Sequence, residues 1–100
     1  VARTVVFTPE ARDDLFALYD YIAGRGAPNA AIDYVTRLEA RCLGLADFPE
    51  QGRQRDDIRP GLRLLGFERR TMIAFHVTTS SVLIDRVLHG GQDVAAAFDD

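Results

Sequence analysis

Leu62-Arg63-Leu64-Leu65, Arg70-Thr71-Met72-Ile73-Ala74-Phe75-His76-Val77 and Val82-Leu83-Ile84-Asp85-Arg86-Val87-Leu88-His89 are three apolar runs in the last third of the chain, closed by Gly90-Gly91-Gln92-Asp93. Each reads as a strand. Gly66-Phe67-Glu68-Arg69 links the first pair and Thr78-Thr79-Ser80-Ser81 the second. Links this short leave no room for a crossover, so the strands are expected to form an antiparallel meander.

Working outward toward the N-terminus, Val5-Val6-Phe7 reads as a short first strand that stops at Thr8-Pro9-Glu10. A helix starts there: Thr8 can cap it, Pro9 suits its first position, and Glu10, Asp13 and Asp14 sit at the positive end of its dipole. Ala11, Leu15, Leu18 and Ile22 fall on one face, and Gly24 and Gly26 end the helix. Ala27-Pro28-Asn29 starts a second helix, whose face is Ala31, Val35, Leu38, Cys42 and Leu45 and whose stop is Phe48-Pro49. The short connection predicts an antiparallel helical hairpin. Residues 50–60 have charges and breakers but no apolar period, and read as a long loop anchored by Ile58. Val94-Ala95-Ala96-Ala97-Phe98 suggests a last turn of helix. The expectation is an α+β fold of order β-α-α-β-β-β, a helical hairpin on a small antiparallel sheet, in a single domain over residues 1–100.

With 47% hydrophobic and 27% charged residues, the chain has the composition of a folded globule and not of a disordered tail. It has no apolar run of the roughly 20 residues that span a bilayer and no signal-peptide pattern, so a cytoplasmic location without membrane contact is expected. The lone cysteine, Cys42, allows no intrachain disulfide and reads as a core residue. All 12 basic side chains are arginine, which removes any mechanism that needs a lysine base, Schiff base or phosphate ligand. Residues 1–50 carry five arginines against eight acids, and residues 53–89 carry seven against four. The positive charge thus gathers on the loop and sheet, within a chain whose net charge is −3.

Both faces of the predicted strands are apolar. Ile73, Phe75 and Val77 alternate with Met72, Ala74 and His76, while Val82, Ile84, Arg86 and Leu88 alternate with Leu83, Asp85, Val87 and His89. One face covers the hairpin; the other presents Met72, His76 and arginines to a partner, or is covered by the chain's own tail. No catalytic constellation stands out. The two histidines have no nucleophile placed beside them, Gly90-Gly91 lacks what a phosphate loop needs, and Asp13-Asp14 and Asp56-Asp57 read as caps and solvated charges. No metal site and no cofactor is expected.

Four fragments in order carry a family resemblance: Phe7-Thr8-Pro9-Glu10-Ala11 with Asp14-Leu15; Phe48-Pro49 with Gly52-Arg53; Arg59-Pro60-Gly61-Leu62-Arg63; and Ile84-Asp85-Arg86-Val87-Leu88-His89-Gly90 with Asp93. Over nearly its whole length the chain resembles the ParE-type toxins of bacterial type II toxin-antitoxin systems, within the RelE/ParE superfamily. The family fold, a helical hairpin on an antiparallel sheet, agrees with the order read from the residues.

The resemblance implies a toxin neutralised by a ParD-like antitoxin in a complex of two plus two chains or a multiple. DNA would be touched only through the antitoxin. RelE-type relatives cut messenger RNA in the ribosome, whereas ParE-type members inhibit DNA gyrase without catalysis of their own. The missing lysine and low net charge favour the gyrase branch and a non-enzyme. A ribosome-dependent endoribonuclease, with Arg63, Arg70, Arg86 and His89 facing phosphate, and a non-toxic antitoxin-binding module are the alternatives. Antitoxin contacts are expected at Arg63, Arg70, Met72, Phe75 and His76, and contacts that cause toxicity at Arg86, His89 and Asp93. The competing expectation for Arg86 and Asp93 is that they pair with each other or with neighbours on the sheet.

Overall fold

Strand β1 (Thr4–Phe7) runs into helix α1 (Pro9–Ala23) through Thr8, whose hydroxyl accepts a hydrogen bond from the Ala11 N–H at 3.1 Å. Proline fits the first turn because its missing N–H had no intrahelical partner there. The structure, a computed structural model, describes residues 3–99; Val1, Ala2 and Asp100, the ends of the expected domain, lie outside the described residues. The chain continues through α2 (Pro28–Leu43), a 3-10 turn at Gly44–Ala46, β2 (Arg53–Gln54), β3 (Arg63–Phe67), β4 (Thr71–Val77), β5 (Ser81–His89) and α3 (Val94–Ala97). The helical hairpin, the meander and the terminal turn of helix are all present.

Three details depart from the expected fold. The sheet has the order β1-β5-β4-β3-β2 and is mixed, because β1 lies parallel to β5 with Phe7 opposite Ile84. A parallel pair needs a long crossover, and everything from α1 to β4 supplies it. The loop contains a two-residue strand, β2, antiparallel to β3, which extends the sheet at its far edge. Finally, β3 runs on through Gly66 and Phe67, paired with Met72 and Thr71, so the turn lies at Glu68-Arg69. Both turn residues have positive φ, 47° and 64°, as a tight hairpin turn requires.

The two helices bury one face of the sheet. Leu15, Leu18, Leu38 and Cys42 from the helical side meet Ile73, Phe75 and Ile84. The opposite face is partly covered by the chain itself, as the tail alternative anticipated: Leu62, Leu64 and Ala74 are buried there, packed by Ile58 from the loop and Val94 and Phe98 from the tail. The long loop is therefore anchored by Ile58 as expected.

Alternation in β5 does not continue to its end. Ala74 pairs with Arg86 while Phe75 pairs with Ile84, leaving Asp85 as an extra residue, a bulge. The shift moves Val87, not Arg86, onto the core face with Val82 and Ile84. Period-two counting could not see this, since one inserted residue reverses every face after it.

Gly52 has a φ of +79°, and a Cβ placed there would overlap the Leu64 carbonyl across the β2–β3 pair. Gly52→Ala therefore combines a strained backbone with a backbone clash, and is expected to cost about 2 kcal/mol, roughly 8–16 °C in Tm. A thermal melt unchanged by the substitution would disprove this packing. Cys42 is fully buried, and burial pushes its thiol up to about 12. It should resist disulfide-exchange reagents at about pH 8 in the native protein and react only as the core opens, whether in one step or many. Rapid native labelling would contradict its placement.

Candidate functional site

Past Ile84, β5 has outrun β1, and its open edge is completed by the first turns of α1. The Thr8 hydroxyl donates to the Asp85 carbonyl at 2.9 Å while accepting from the Ala11 N–H, so one hydroxyl joins the helix cap to the bulge. Asp14 then takes the place of a neighbouring strand. Its Oδ2 accepts from the Val87 N–H at 2.9 Å and from Arg86 Nε at 2.7 Å, and its Oδ1 accepts from Arg86 Nη2 at 3.0 Å. These hydrogen bonds raise the Arg86 guanidinium above its ordinary value. The pairing is partly shielded, with side-chain exposures of 26% for Arg86 and 15% for Asp14.

Asp14 is thus no solvated charge, contrary to the sequence reading. A signal was available: three residues after Ala11 and four before Leu18, it lies on the side of α1 that faces the sheet. Arg86 pairs with this carboxylate and not with Asp93. Asp93 instead caps α3, its Oδ1 accepting from the Ala95 N–H at 3.0 Å.

The residues expected to form one antitoxin surface are divided among several places. Phe75 must be withdrawn from that surface, because it is fully buried beneath the helices, where an aromatic ring contributes most to the core. Met72 is half-buried on the opposite face against Leu62, Leu64 and Ala74. His76, also half-buried, sits with its Nδ1 2.7 Å from Asp85 Oδ2. Arg63 lies opposite Phe75, hence on the helix side of the sheet, where it lines a cleft of about 660 Å³ with Arg3, Asp47, Phe48 and Glu50. Its Nη1 reaches the Gln51 carbonyl at 3.4 Å.

Arg70 lies at the other end of β4, five residues from Phe75, which is roughly 16 Å along a strand. There it shares a larger cleft, about 760 Å³, with His89, one of the residues expected to cause toxicity. The two were assigned to different partners on sequence, yet β4 and β5 pair Thr71 with His89 and so bring them together. Leu18 and Ile22 of α1 and the rings of Tyr21 and Tyr34 supply the apolar lining. The His89 ring meets Tyr21 edge to face at 5.3 Å, and the Tyr34 hydroxyl lies 2.7 Å from Thr71 Oγ1. At the mouth, Arg37 donates twice to Glu68, both at 2.9 Å, which lowers the Glu68 carboxyl and raises the Arg37 guanidinium.

Neither the clefts nor the ion pairs bring together a metal-binding set: among the described residues no group of three or more His, Cys, Asp or Glu is placed to hold an ion.

Residues 5–94 match the model of a family described as the ParE toxin of type II toxin-antitoxin systems, parDE. The chain is similar to Toxin ParE3 of Caulobacter vibrioides, with 28% identity over 92 residues that cover 92% of this chain and 91% of that one. Its fold is similar to that of a chain from the chromosomal ParDE TA system of P. aeruginosa, with a TM-score of 0.77 and 27% identity, over 88% of this chain and 96% of that one.

Replacing Asp14 with alanine orphans the Val87 N–H and leaves Arg86 unpaired, at an expected cost of about 2–3 kcal/mol. Asp14→Asn keeps an acceptor and should lose less. If the two side chains are coupled, the Asp14→Ala, Arg86→Ala double variant will be more stable than the sum of the single losses predicts. Simple additivity in urea melts would count against the pairing.

Proposed function

The chain belongs to the ParE toxin family of type II toxin-antitoxin systems, and on that premise we propose that it acts by binding, not by bond-breaking chemistry. Its target is DNA gyrase, which it poisons so that replication stops. A ParD-like antitoxin neutralises it, in a complex of two toxins and two antitoxins or a multiple.

The observation that carries the non-catalytic reading is the dispersal of the polar side chains. Cleavage of RNA needs a base, an acid and groups that stabilise phosphate around one reacting atom. Here Arg70 and His89 share one cleft, but Arg63 lines another and Arg86 is held in a bidentate pair with Asp14, so the four side chains do not surround one point. Such groups suit docking, in which each arginine meets its own carboxylate or carbonyl. The net charge of −3 is likewise poorly matched to ribosomal RNA.

Among the described residues no helix is long and apolar enough to cross a membrane, and action in the cytoplasm fits a toxin directed at gyrase. Antitoxin contacts belong, on this reading, at Arg63, Arg70, Met72 and His76. Toxicity belongs at the end of β5, at His89 and Asp93, with Arg86 holding that end through Asp14.

Induced expression without antitoxin should arrest DNA synthesis first, with filamentation. Pulse labelling with thymidine and methionine distinguishes the mechanisms: early loss of protein synthesis with transcripts cut at the ribosome would replace the gyrase reading with the RNase one. Unimpaired growth with folded protein present would leave only antitoxin binding. His89→Ala, at a half-buried site outside the core, is expected to lose toxicity with Tm unchanged to within about 2 °C, whereas Arg86→Ala should lower toxicity and stability together.

A further inference from the structure

We infer that the outer face of the helical hairpin is a surface on which two copies of this chain pair about a two-fold axis through Phe16, with Arg12 of each copy against Asp20 of the other.

Phe16 stands at the midpoint of α1 with 71% of its surface exposed, an aromatic ring that the fold itself leaves in water. It does not stand alone. Beside it lies a groove of about 430 Å³ lined by Leu15, Tyr19 and Val35. Ile32 and Leu43, both exposed, follow Val35 and Glu39 on the same face of α2 at steps of three and four residues. The apolar patch therefore runs along both helices.

The charges select the occupant. Arg12 lies four residues before Phe16 and Asp20 four after, each about 6 Å from it along the helix axis. Both line the groove. A half-turn about an axis through Phe16 sets the two α1 helices antiparallel, so that each Arg12 meets an Asp20, each Asp13 faces a Tyr19, and the two Phe16 rings meet on the axis. Parallel helices would instead set arginine against arginine and aspartate against aspartate. The Arg12 guanidinium lies over its own Phe7 ring at 5.5 Å, and neither Arg12 nor Asp20 belongs to an ion pair among the described residues. Glu39 is the remaining charge in the groove. An acidic partner would thus meet Asp20 and Glu39, and a basic one Arg12, whereas a second copy brings both signs in the order the face requires.

Size sets the strength of the pairing. Helices of 15 and 16 residues make a face about 23 Å long and about 20 Å wide, which would bury on the order of 900 Å² over two copies. That is the range of transient interfaces, so association is expected at micromolar and not nanomolar concentrations. The larger cleft is lined from the other side of α1, by Leu18, Tyr21 and Ile22, so pairing leaves it and His89 open.

Sedimentation of the full chain without antitoxin, from about 5 to 500 μM, tests this. A reversible monomer–dimer equilibrium with a Kd of roughly 10–100 μM is expected for the wild type. Phe16→Ala should weaken it about 10-fold or more with the melting temperature unchanged, since the ring lies outside the core. Arg12→Glu and Asp20→Arg should each weaken self-association about 10-fold, because each turns two attractive contacts into repulsive ones. Both substitutions suit the helix dipole, so folding is preserved. Mixed in equal amounts, these two single variants should pair with each other about as well as the wild type does with itself, because every contact between them again joins opposite charges. A wild type that stays monomeric throughout the range would overturn the inference. So would a dimer indifferent to Phe16→Ala and to both charge reversals. A monomer whose Phe16→Ala variant loses affinity for antitoxin or gyrase would give the face to that partner and overturn it as well.

Discussion

The open edge of β5 is the constraint from which the rest of the structure follows. A strand edge without a neighbour leaves backbone N–H groups unpaired, and burying them that way is costly. β1 is only four residues long and pairs β5 as far as Ile84. The first turns of α1 take over with the Thr8 hydroxyl and the Asp14 carboxylate. Two side chains thus fix the helix relative to the sheet in position and angle. The bulge at Asp85 belongs to the same device, since it frees the carbonyl that Thr8 bonds and turns Val87 inward.

Once α1 is fixed, α2 packs beside it and the helical layer covers one face of the sheet. The layer stops short of the ends of β4 and β5, and the larger cleft lies in that gap, with tyrosines from both helices as its walls. The tight Glu68-Arg69 turn sits at its rim, where Arg37 from α2 holds Glu68. Non-glycine residues at positive φ cost on the order of 1 kcal/mol each, so the turn is held by its surroundings and not by its own preference. Arg70 is carried out to the mouth of the cleft by that turn.

Arginine as the sole basic residue suits this organisation. A planar fork can hold a carboxylate in a fixed orientation, as Arg86 holds Asp14 and Arg37 holds Glu68, and it also lies flat over aromatic rings, as Arg59 does over Phe98. Several arginines are therefore structural, and the ones available to a partner are those left over.

Much of this was legible in the residues themselves. The Thr8-Pro9 start, the spacing of Ala11, Leu15 and Leu18, the meander and the Ile58 anchor are local or periodic features, and local sterics and hydrogen bonding dictate them wherever the chain goes. The four ordered fragments identified the family for the same reason. What only the tertiary structure decided were relations between distant segments: the parallel seat of β1, Gly52 against Leu64, Asp14 as the partner of Arg86, and Arg70 beside His89. Each depends on strand register, and in β5 the register turns on a single extra residue. A bulge carries no compositional mark strong enough to read in one sequence. Phe75 and Asp14 are different cases: the alternation of β4 already set Phe75 with Ile73 and Val77 on the hairpin face, where it lies in the core, and the helix spacing of Asp14 already turned it toward the sheet that it closes, but only the structure supplied its partner.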